Sequence, residues 1–558
     1  MTKKFDDMLP HLSRRKALTY LVVGAASSAL PPMFSFGEAF AAAVATPTMR
    51  KGQMVIGFSQ EPTVFNPHLP HIEVDEGIHF SIFDPLFAIN DKGDFTPSLA
   101  KEVPTVANGG ISADGLQFHI KLRDGVKWHD GKPFTADDVK FTLELLVDPD
   151  FRSWRKTGHE LVRDIKVISP TEISWRMDKP FAPYPAILAS TFIVPQHILG
   201  PVKDKNSAPF NNAPIGTGPF KWQQRVPGDH IELVANTYYF TGGPGLERVV
   251  YKYIPDLNVM YTQFASGDID VVGLQWISAD HYDDAKKLPG KVVDVSSSST
   301  IENFAFNLGR PQFQELEVRQ AIYYAIDKQT IIDSLYYGLP KPTETYMPPG
   351  SAYFNPNLPK HEYSPDKAKA LLDKAGWKTG SDGIRQKNGV RLAFTNSTTA
   401  GNHLREQMQQ FLQQSFQDIG IEMKIANLPP AVMWGEYWMM SKFDTVIVGM
   451  SFLTGADPDT SDYLRSTSIP AKGGAGQNTF QYQSKAVDDL LTKGSTLFVP
   501  EERKAVYNQI QEIVRHDMPF LPLFPFANVR GHKQGATNVI PNVNVRIDSW
   551  NVATWYWA

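Results

Sequence analysis

The sequence predicts a mixed α/β protein with more than one lobe, and three observations lead to this prediction. Residues 115–141 combine a strand pattern with the start of a helix. The chain has 558 residues, which exceeds the length that a single hydrophobic core normally organises. Two or three lobes are therefore expected. Its 42 prolines and 40 glycines are spread along the chain, which favours many loops and argues against a helical bundle.

Residues 115–141 contain the clearest local pattern in the chain. Apolar and polar residues alternate there with a period of two, which is typical of a half-buried strand. The apolar set is Leu116, Phe118, Ile120 and Leu122. Turn dipeptides follow at residues 124–125 and 130–131. Thr135 then precedes Asp138 by three residues, a capping-box spacing that predicts the start of a helix.

Periodicity and turn residues predict further elements along the chain. Strands are predicted at residues 52–58, 164–168, 172–177, 231–234, 246–254, 267–273 and 443–449. Helices are predicted at residues 259–266, 404–419 and 501–516, and another is expected to end at Gly376. Strands and helices therefore alternate over much of the chain, as in an α/β protein.

The first 45 residues are predicted to be a targeting segment that is removed. Ser13-Arg14-Arg15-Lys16-Ala17-Leu18 resembles a twin-arginine export motif. The apolar run at 18–30 is too short and too interrupted for a membrane span. Ala43-Val44-Ala45 has the small-x-small pattern of a cleavage site, so the mature chain is expected to begin at Thr46. Cleavage after residue 41 and retention as a membrane anchor are the alternatives.

The chain has no cysteine. A disulfide cannot stabilise the exported protein, and thiol catalysis and cysteine metal clusters are excluded. A lipid cannot be attached at a cysteine either. We therefore expect a soluble periplasmic protein without a lipid anchor, in a bacterium with two membranes.

The charge of the chain is mildly acidic. Its formal net charge is −4, and removal of residues 1–45, which hold five basic and three acidic side chains, changes it to −6. We found no basic run along the sequence. Nucleic acid is therefore not an expected partner.

One long segment resembles a known family. Residues 118–141 have the pattern F-x-I-K-L-R-D-G-V-K-W-H-D-G-K-P-F-T-A-D-D-V-x-F, which strongly resembles the best-known segment of the family 5 extracellular solute-binding proteins. These proteins capture peptides, nickel or oligosaccharides for bacterial ABC importers. Four more segments resemble markers of the same family: 214–222, 264–271, 318–328 and 363–377. The resemblance spans about residues 52 to 535.

This resemblance implies a two-lobed α/β periplasmic-binding-protein fold with a hinge and an inserted small lobe. Lobe I is predicted at residues 46–86, 214–300 and 525–558, the small lobe at 87–213, and lobe II at 301–524. The solute is expected in the cleft between the lobes, which close around it. The implied partners are a cognate ABC permease and its ATPase. No cofactor or metal is expected, and the protein is predicted to be a monomer.

The resemblance also indicates residues that contact the solute. Some lie in a segment near the start of the mature chain that passes the cleft, and others in the strand that connects the lobes. The rest lie in the loop after the strand at 443–449 and directly after a glycine-rich loop. The set is His71, Ile72, Glu73, Glu302, Asn303, Phe452, Thr454, Asp457, Gln477 and Asn478. Trp434, Tyr437 and Trp438 crowd five positions, which fits either core packing or an aromatic wall for a ligand.

The class of solute stays open between two alternatives. Peptide-binding members of the family hold the amino terminus of the peptide with an aspartate, and the matching position here is Thr454, or Leu453 if the alignment shifts by one. A buried ammonium group without a counter-charge is costly. A peptide held by Asp457, Glu73 or Glu302 is one hypothesis. A solute without an ammonium end is the other, for example an oligosaccharide stacked on Trp434 and Trp438, a modified peptide or another small solute.

An exported hydrolase is the alternative from a different class. Its weakest point is the lack of a nucleophile motif, because the sequence has neither Gly-x-Ser-x-Gly nor His-Glu-x-x-His. His129 and Asp130 are better explained as turn and scaffold residues. Asp457 and Asp459 form a close acidic pair, but their Asp-Pro-Asp setting resembles the family's loop. The sequence therefore predicts a binding protein rather than an enzyme.

Overall fold

The computed structural model describes residues 51–452, 455–474, 476–545 and 547–558, without the side chains of Gln275 and Ala431. The predicted leader and Thr454 lie outside these residues. Within the described part of the chain, no helix has the length and hydropathy that a membrane span requires.

Most strands belong to one large sheet, and the others form small sheets beside it. The strands are β1 (Gln53–Phe58), β2 (Phe87–Ile89), β3 (Phe95–Pro97), β4 (Gln117–Lys121), β5 (Val162–Ser169), β6 (Glu172–Met177), β7 (Phe220–Val226), β8 (His230–Ala235), β9 (Arg248–Tyr253), β10 (Val271–Ile277), β11 (Lys291–Phe306), β12 (Lys378–Thr379), β13 (Arg385–Lys387), β14 (Val390–Arg391), β15 (Ala393–Ser397), β16 (Glu422–Ile425), β17 (Thr445–Met450), β18 (Phe520–Lys533), β19 (Ala536–Thr537) and β20 (Tyr556–Trp557).

Helices occur between the strands and are longest in the second half of the chain. They are α1 (Glu73–Ile82), α2 (Ala136–Val147), α3 (Tyr184–Leu188), α4 (Gln196–Leu199), α5 (Leu257–Ser266), α6 (Tyr282–Ala285), α7 (Pro311–Gln314), α8 (Leu316–Tyr324), α9 (Lys328–Leu335), α10 (Pro365–Lys374), α11 (His403–Gln417), α12 (Pro430–Val432), α13 (Ser461–Leu464), α14 (Lys485–Gly494) and α15 (Pro500–Asp517). A π-helical turn at Met433–Tyr437 follows α12.

The large sheet has ten strands in the order β16-β15-β17-β11-β18-β10-β1-β9-β8-β7. It is mixed, because β1 runs parallel to β9 and β10 while β18 runs antiparallel to β10 and β11. One half of the sheet comes from the predicted lobe I and the other from the predicted lobe II. The mixed α/β, two-lobed architecture predicted from the sequence is confirmed.

The long strands β11 and β18 join the two halves of the sheet. They pair over most of their length, but the register shifts between Ser297 and Ile301, which oppose Ala527 and Pro525. Extra residues of β11 therefore bulge out of the ladder where the chain passes from one half to the other, and such bulges bend a strand.

The inserted segment forms its own small sheet, β4-β6-β5, with α2 packed beside it. Phe118 and Ile120 of β4 are buried, and so are Val126 and Trp128 beyond the turn, as the alternation predicts. Other residues of the segment, including Phe192 and Phe210, instead join the core around β1 and α1. The core thus crosses the lobe boundary proposed at residue 213, and that boundary stays a prediction.

Most predicted elements occur within a few residues of their expected positions. The strand predicted at 267–273 lies later, at Val271–Ile277. The reason is Gly267, which ends α5 in the left-handed region at φ 93°. The backbone nitrogens of Asp268 and Ile269 then donate hydrogen bonds back to Gln263, so pairing with the neighbouring strands begins only after these residues.

Candidate functional site

The candidate site is a cavity of about 370 Å³ where three parts of the chain meet. Its walls come from residues 67–80 and 543–545, from 146–192, and from 451–477, and Ser299 of the bulge in β11 lies among them. These segments belong to the predicted lobe I, small lobe and lobe II. A more open hollow of about 820 Å³ is lined by residues 320–374 and 512–518 alone, so it does not lie between lobes.

Buried histidines form one wall of the cavity. The Nε2 atoms of His68 and His79 lie 2.7 Å and 2.8 Å from the backbone oxygens of Phe192 and Val64. A carbonyl only accepts hydrogen bonds, so Nε2 carries the proton in both rings. The Nδ1 atom of each neutral ring is therefore an acceptor.

His159 is held by a chain of hydrogen bonds. The Thr191 hydroxyl donates to the backbone oxygen of Ile187 at 2.7 Å, so its oxygen accepts from His159 Nε2 at 3.3 Å. His159 Nδ1 then accepts from the Tyr184 hydroxyl at 3.2 Å. Both ring nitrogens are thus satisfied while the ring is neutral.

Burial keeps these histidines uncharged. It lowers the pKa of His68 to about 4 and the pKa of His79 and His159 to about 3, because a charged imidazolium loses its hydration in the interior. At neutral pH this wall therefore carries no charge of its own.

Acidic side chains are the main charges that line the cavity. Among the described residues, Glu76, Asp459 and Asp462 line it, together with the guanidinium of Arg155. Burial raises the pKa of Asp459, and the neighbouring Asp457 adds to the shift. Burial also raises the pKa of Asp462, and Arg155 opposes that shift. With the buried histidines neutral, carboxylates outnumber guanidinium groups among the described residues that line the cavity.

Aromatic side chains complete the walls. The His71 ring lies 5.1 Å from the ring of Trp154 and 4.9 Å, edge to face, from that of His79. Phe452 packs 4.7 Å from Tyr463, and both line the cavity. The backbone nitrogen of Trp154 donates to the backbone oxygen of His68 at 2.7 Å, which joins two of the walls.

The structure brings His71, Phe452 and Gln477 of the predicted set to this cavity. Glu73 lies at an adjoining small hollow with Trp276 and Asp548. Ile72 is 52% exposed just before α1 and does not line the cavity.

The remaining polar residues of the predicted set that are described pack within the segment predicted as lobe II. Glu302 is 1% exposed and pairs with Arg405 at 2.9 Å. Asp457 accepts two hydrogen bonds from Arg503, at 2.6 Å and 3.0 Å. The buried side chains of Asn303 and Asn478 donate to backbone oxygens. None of these side chains lines the cavity.

The predicted aromatic wall lies elsewhere. Trp438 is buried and stacks on Phe443 at 5.4 Å, which corresponds to the core-packing interpretation. Trp434 is 40% exposed, with its ring 5.8 Å from that of Trp438. The Tyr437 hydroxyl lies 2.8 Å from the Ser397 hydroxyl. The structure does not bring these residues to the cavity, and their role in ligand binding stays a prediction.

The sequence-based prediction missed most of the polar wall. His68, His79, Arg155, His159, Asp459 and Asp462 line the cavity but were not in the predicted binding set. One usable signal was the local concentration of histidine, with His68, His71 and His79 within twelve residues of a chain that has 14 histidines. His159 and Asp462 have no comparable local signal.

Comparison with known proteins gives the family. Residues 94–472 match the family described as "Bacterial extracellular solute-binding proteins, family 5 Middle". The oligopeptide-binding protein AppA of Bacillus subtilis is 30% identical over 488 residues, which cover 85% of this chain and 86% of that protein.

Two solved structures have similar folds. That of Bacillus subtilis AppA in complex with a nonapeptide superposes with a TM-score of 0.73 at 29% identity, covering 91% of this chain and 99% of AppA. That of Campylobacter jejuni NikZ in complex with Ni(L-His) gives a TM-score of 0.75 at 27% identity, covering 90% and 99%.

The fold is that of a two-lobed α/β binding protein. The chain belongs to the bacterial extracellular solute-binding proteins of family 5. The family predicted from the five sequence segments is confirmed.

Proposed function

We propose that this protein is the periplasmic solute-binding component of an ABC importer and that it captures a peptide in the interlobe cavity. The observation that carries this proposal is the cavity itself, which is lined by all three predicted lobes and so can close around a solute. The relative AppA, named for oligopeptide binding, supports a peptide as the solute. Delivery then requires a membrane permease and its ATPase, which we propose as partners of a monomer.

The arrangement of polar groups favours binding over hydrolysis. Of the serine hydroxyls at the cavity, those of Ser299 and Ser451 lie 3.2 Å from each other, and that of Ser190 donates to the backbone oxygen of Ile187 at 3.0 Å. The Nε2–H groups of His68 and His79 are bonded to backbone oxygens rather than to a nucleophile. We therefore propose that the protein binds its solute without converting it.

A thermal-shift and calorimetry series tests the function. The mature protein is first unfolded and refolded to remove any solute carried through purification. Peptides of two to nine residues are then compared with oligosaccharides of similar mass. Peptides should raise the melting temperature, because a ligand that binds only the folded state stabilises it.

Two outcomes would contradict this proposal. Stabilisation by oligosaccharides without any by peptides would show that the solute class is wrong. Release of cleavage products from a bound peptide, followed by mass spectrometry, would show that the protein is an enzyme.

We also propose that the precursor is exported through the twin-arginine route and cleaved before Thr46. The motif at 13–18 and the small residues at 43–45 support this proposal. Replacing both Arg14 and Arg15 by Lys should leave precursor in the cytoplasm. Edman sequencing of a periplasmic fraction that began at Met1 would refute the cleavage.

A further inference from the structure

We propose that the open hollow of about 820 Å³ in the predicted lobe II is a second binding site, and that it takes a small organic anion with an apolar body. Helices α8 and α10, the end of α15 and residues 357–362 contribute to its lining, and no described residue lines both this hollow and the interlobe cavity. Its volume lies in the range of about 300–1,000 Å³ that is typical of small-molecule sites. The proposal does not depend on which solute the interlobe cavity binds.

A buried group of charges next to the hollow has more cations than carboxylates. The side chain of Lys328 is 2% exposed, and that of Arg515, which lines the hollow, is 11% exposed. Among the described residues, Glu344 is the only carboxylate within ion-pair distance of either, at 3.5 Å from Lys328 Nζ and 3.4 Å from Arg515 Nε. When both cations are charged, one positive charge is therefore left without compensation.

Tyr323 connects this excess charge to the hollow, which its side chain lines. The centre of its ring lies 4.8 Å from Lys328 Nζ and 4.7 Å from Arg515 Cζ. Its hydroxyl accepts a hydrogen bond from Lys328 Nζ at 2.7 Å and donates one to Glu344 at 2.6 Å. An anion beside Arg515 would therefore act on Lys328 across one aromatic ring, in surroundings where charges interact more strongly than in water.

The guanidinium of Arg515 has unused hydrogen-bonding capacity. Among the described residues, none accepts a hydrogen bond from it, and its Nε atom is buried. Buried polar groups are nearly always hydrogen-bonded, so this side chain is an exception that a ligand could explain. A guanidinium presents its donors in a planar fork that matches carboxylate and phosphate groups. Arg515 is therefore suited to an anion that enters the hollow.

Lysines add to the positive charge of the lining. Lys360 and Lys374 are exposed, line the hollow and have no ion-pair partner among the described residues. Lys367 pairs with Glu362 at 2.6 Å, so the charges of these two residues cancel. The remaining carboxylate among the described residues of the lining is that of Glu512. Cations thus exceed carboxylates here, which favours an anion and disfavours a cation.

The apolar side chains of the hollow define the body of the ligand. Met518 is 8% exposed, Tyr324 and Leu371 are partly buried, and all three line the hollow together with Ala370. An inorganic anion would leave this surface in water, whereas an alkyl or aryl carboxylate would cover it and gain the free energy of apolar burial. The hollow therefore fits a molecule with one anionic end and one apolar end.

Binding of such an anion should take up a proton. Burial lowers the pKa of Lys328 to about 7; Glu344 opposes this shift and Arg515 adds to it. The His361 ring lies 4.4 Å from that of Tyr323, and burial lowers its pKa to about 4, so it stays neutral at pH 7.5. An anion in the hollow favours the charged amine and so raises the pKa of Lys328. The affinity should therefore be full below pH 7 and should fall as the pH rises above it.

Calorimetry with three probes tests the site. Octanoate carries both the anion and the apolar body, octanamide has the same body without a charge, and inorganic phosphate has the charge without the body. Each probe is titrated into the mature protein, Lys374→Gln, Arg515→Gln and the control Lys369→Gln. Lys369 is exposed on the same helix as Lys374 and does not line the hollow. Circular dichroism checks folding, and the exposed position of Lys374 preserves the test if Arg515→Gln does not fold.

Octanoate should bind the wild-type protein at least about tenfold more tightly than octanamide or phosphate, because only octanoate uses both the charged groups and the apolar surface. Arg515→Gln should bind octanoate at least about tenfold more weakly. Lys374→Gln should bind it about two- to fivefold more weakly, since an exposed charge contributes less. Lys369→Gln should match the wild-type protein.

Proton uptake is measured by repeating the octanoate titration at pH 7.5 in Tris and in triethanolamine. These buffers differ in their heat of ionisation, so the difference between the two binding heats gives the number of protons taken up. We expect uptake in the wild-type protein and in His516→Gln, which removes a titratable side chain of the lining other than Lys328.

Two outcomes would overturn the site. One is that octanoate does not bind the wild-type protein, and the other is that neither Arg515→Gln nor Lys374→Gln weakens its binding more than Lys369→Gln does. Binding without proton uptake, or uptake that disappears in His516→Gln, would overturn the role of the buried charges around Lys328. None of these results bears on peptide binding in the interlobe cavity, which is measured separately.

Discussion

Individual buried charges in this protein are fixed by partners far away in the sequence. Glu302 pairs with Arg405, and Asp457 pairs with Arg503. The sequence does not show which arginine pairs with which carboxylate. The family resemblance therefore placed Glu302 and Asp457 among the ligand contacts. Their burial with a partner explains why they do not supply the charge of the cavity.

A prediction at the residue scale concerns the pH dependence of stability. Burial lowers the pKa of His159 to about 3, against 6.5 for a free histidine. The unfolded chain therefore takes up a proton at a higher pH than the folded protein. The stabilising contribution of the neutral ring is full above pH 6.5 and decreases, by up to several kcal/mol, as the pH falls towards 3.

His159→Gln should reduce this acid sensitivity. Urea unfolding at pH 7.5 and pH 5.0 measures the difference in the free energy of unfolding, which should be smaller in the variant than in the wild-type protein. His516→Gln is the matched control, because the side chain of His516 is 68% exposed. Equal pH dependence in His159→Gln and the wild-type protein would contradict the assignment.

At the scale of elements, one carboxylate holds the start of α2. Asp138 Oδ2 accepts from the backbone nitrogen of Thr135 at 2.9 Å and from Trp128 Nε1 at 3.2 Å. Asp138 Oδ1 accepts from the backbone nitrogen of Gln196 at 2.9 Å. The side chain of the predicted capping box thus also connects the segment around Trp128 with the starts of α2 and α4.

Asp138→Ala should destabilise the protein by about 3 kcal/mol or more, because it leaves buried donors without acceptors. Asp137→Ala, one residue earlier and exposed, should change the free energy of unfolding by less than about 1 kcal/mol. Urea denaturation of the two variants makes the comparison. Similar losses in both would show that charge in the first turn, and not the buried network, is responsible.

At the scale of the whole molecule, β11 and β18 are the structural basis for a hinge. Both strands run through the two halves of the sheet. The register shift between Ser297 and Ile301 lies where the strands pass from one half to the other. Ser299 of this bulge also lines the cavity. A ligand in the cavity can therefore favour one relative position of the lobes over another, provided that its affinity for the two differs.

We predict that a bound solute reduces the radius of gyration. Small-angle X-ray scattering of the refolded protein, with and without a saturating peptide, measures the change. A dilution series without peptide is the control, because it separates a change of shape from self-association. An unchanged radius at proven saturation would contradict closure.

The sequence by itself determined the features that depend on short spacings. Alternation at Phe118 and Ile120, the Thr135–Asp138 spacing and the helix end before Gly376 involve residues a few positions apart, and the structure has the strand and both helices there. The family segments are equally local. These features are predictable because strand period and helix capping act within one element.

Only the tertiary structure decided which polar groups meet at the cavity. His79, Arg155 and Asp462 come from three distant segments, and no local pattern relates them. Their roles depend on which neighbours neutralise or bury each group, as Arg503 does for Asp457. Pairing and desolvation are properties of the packed molecule, so the fold could be predicted from the sequence while most of the site's polar wall could not.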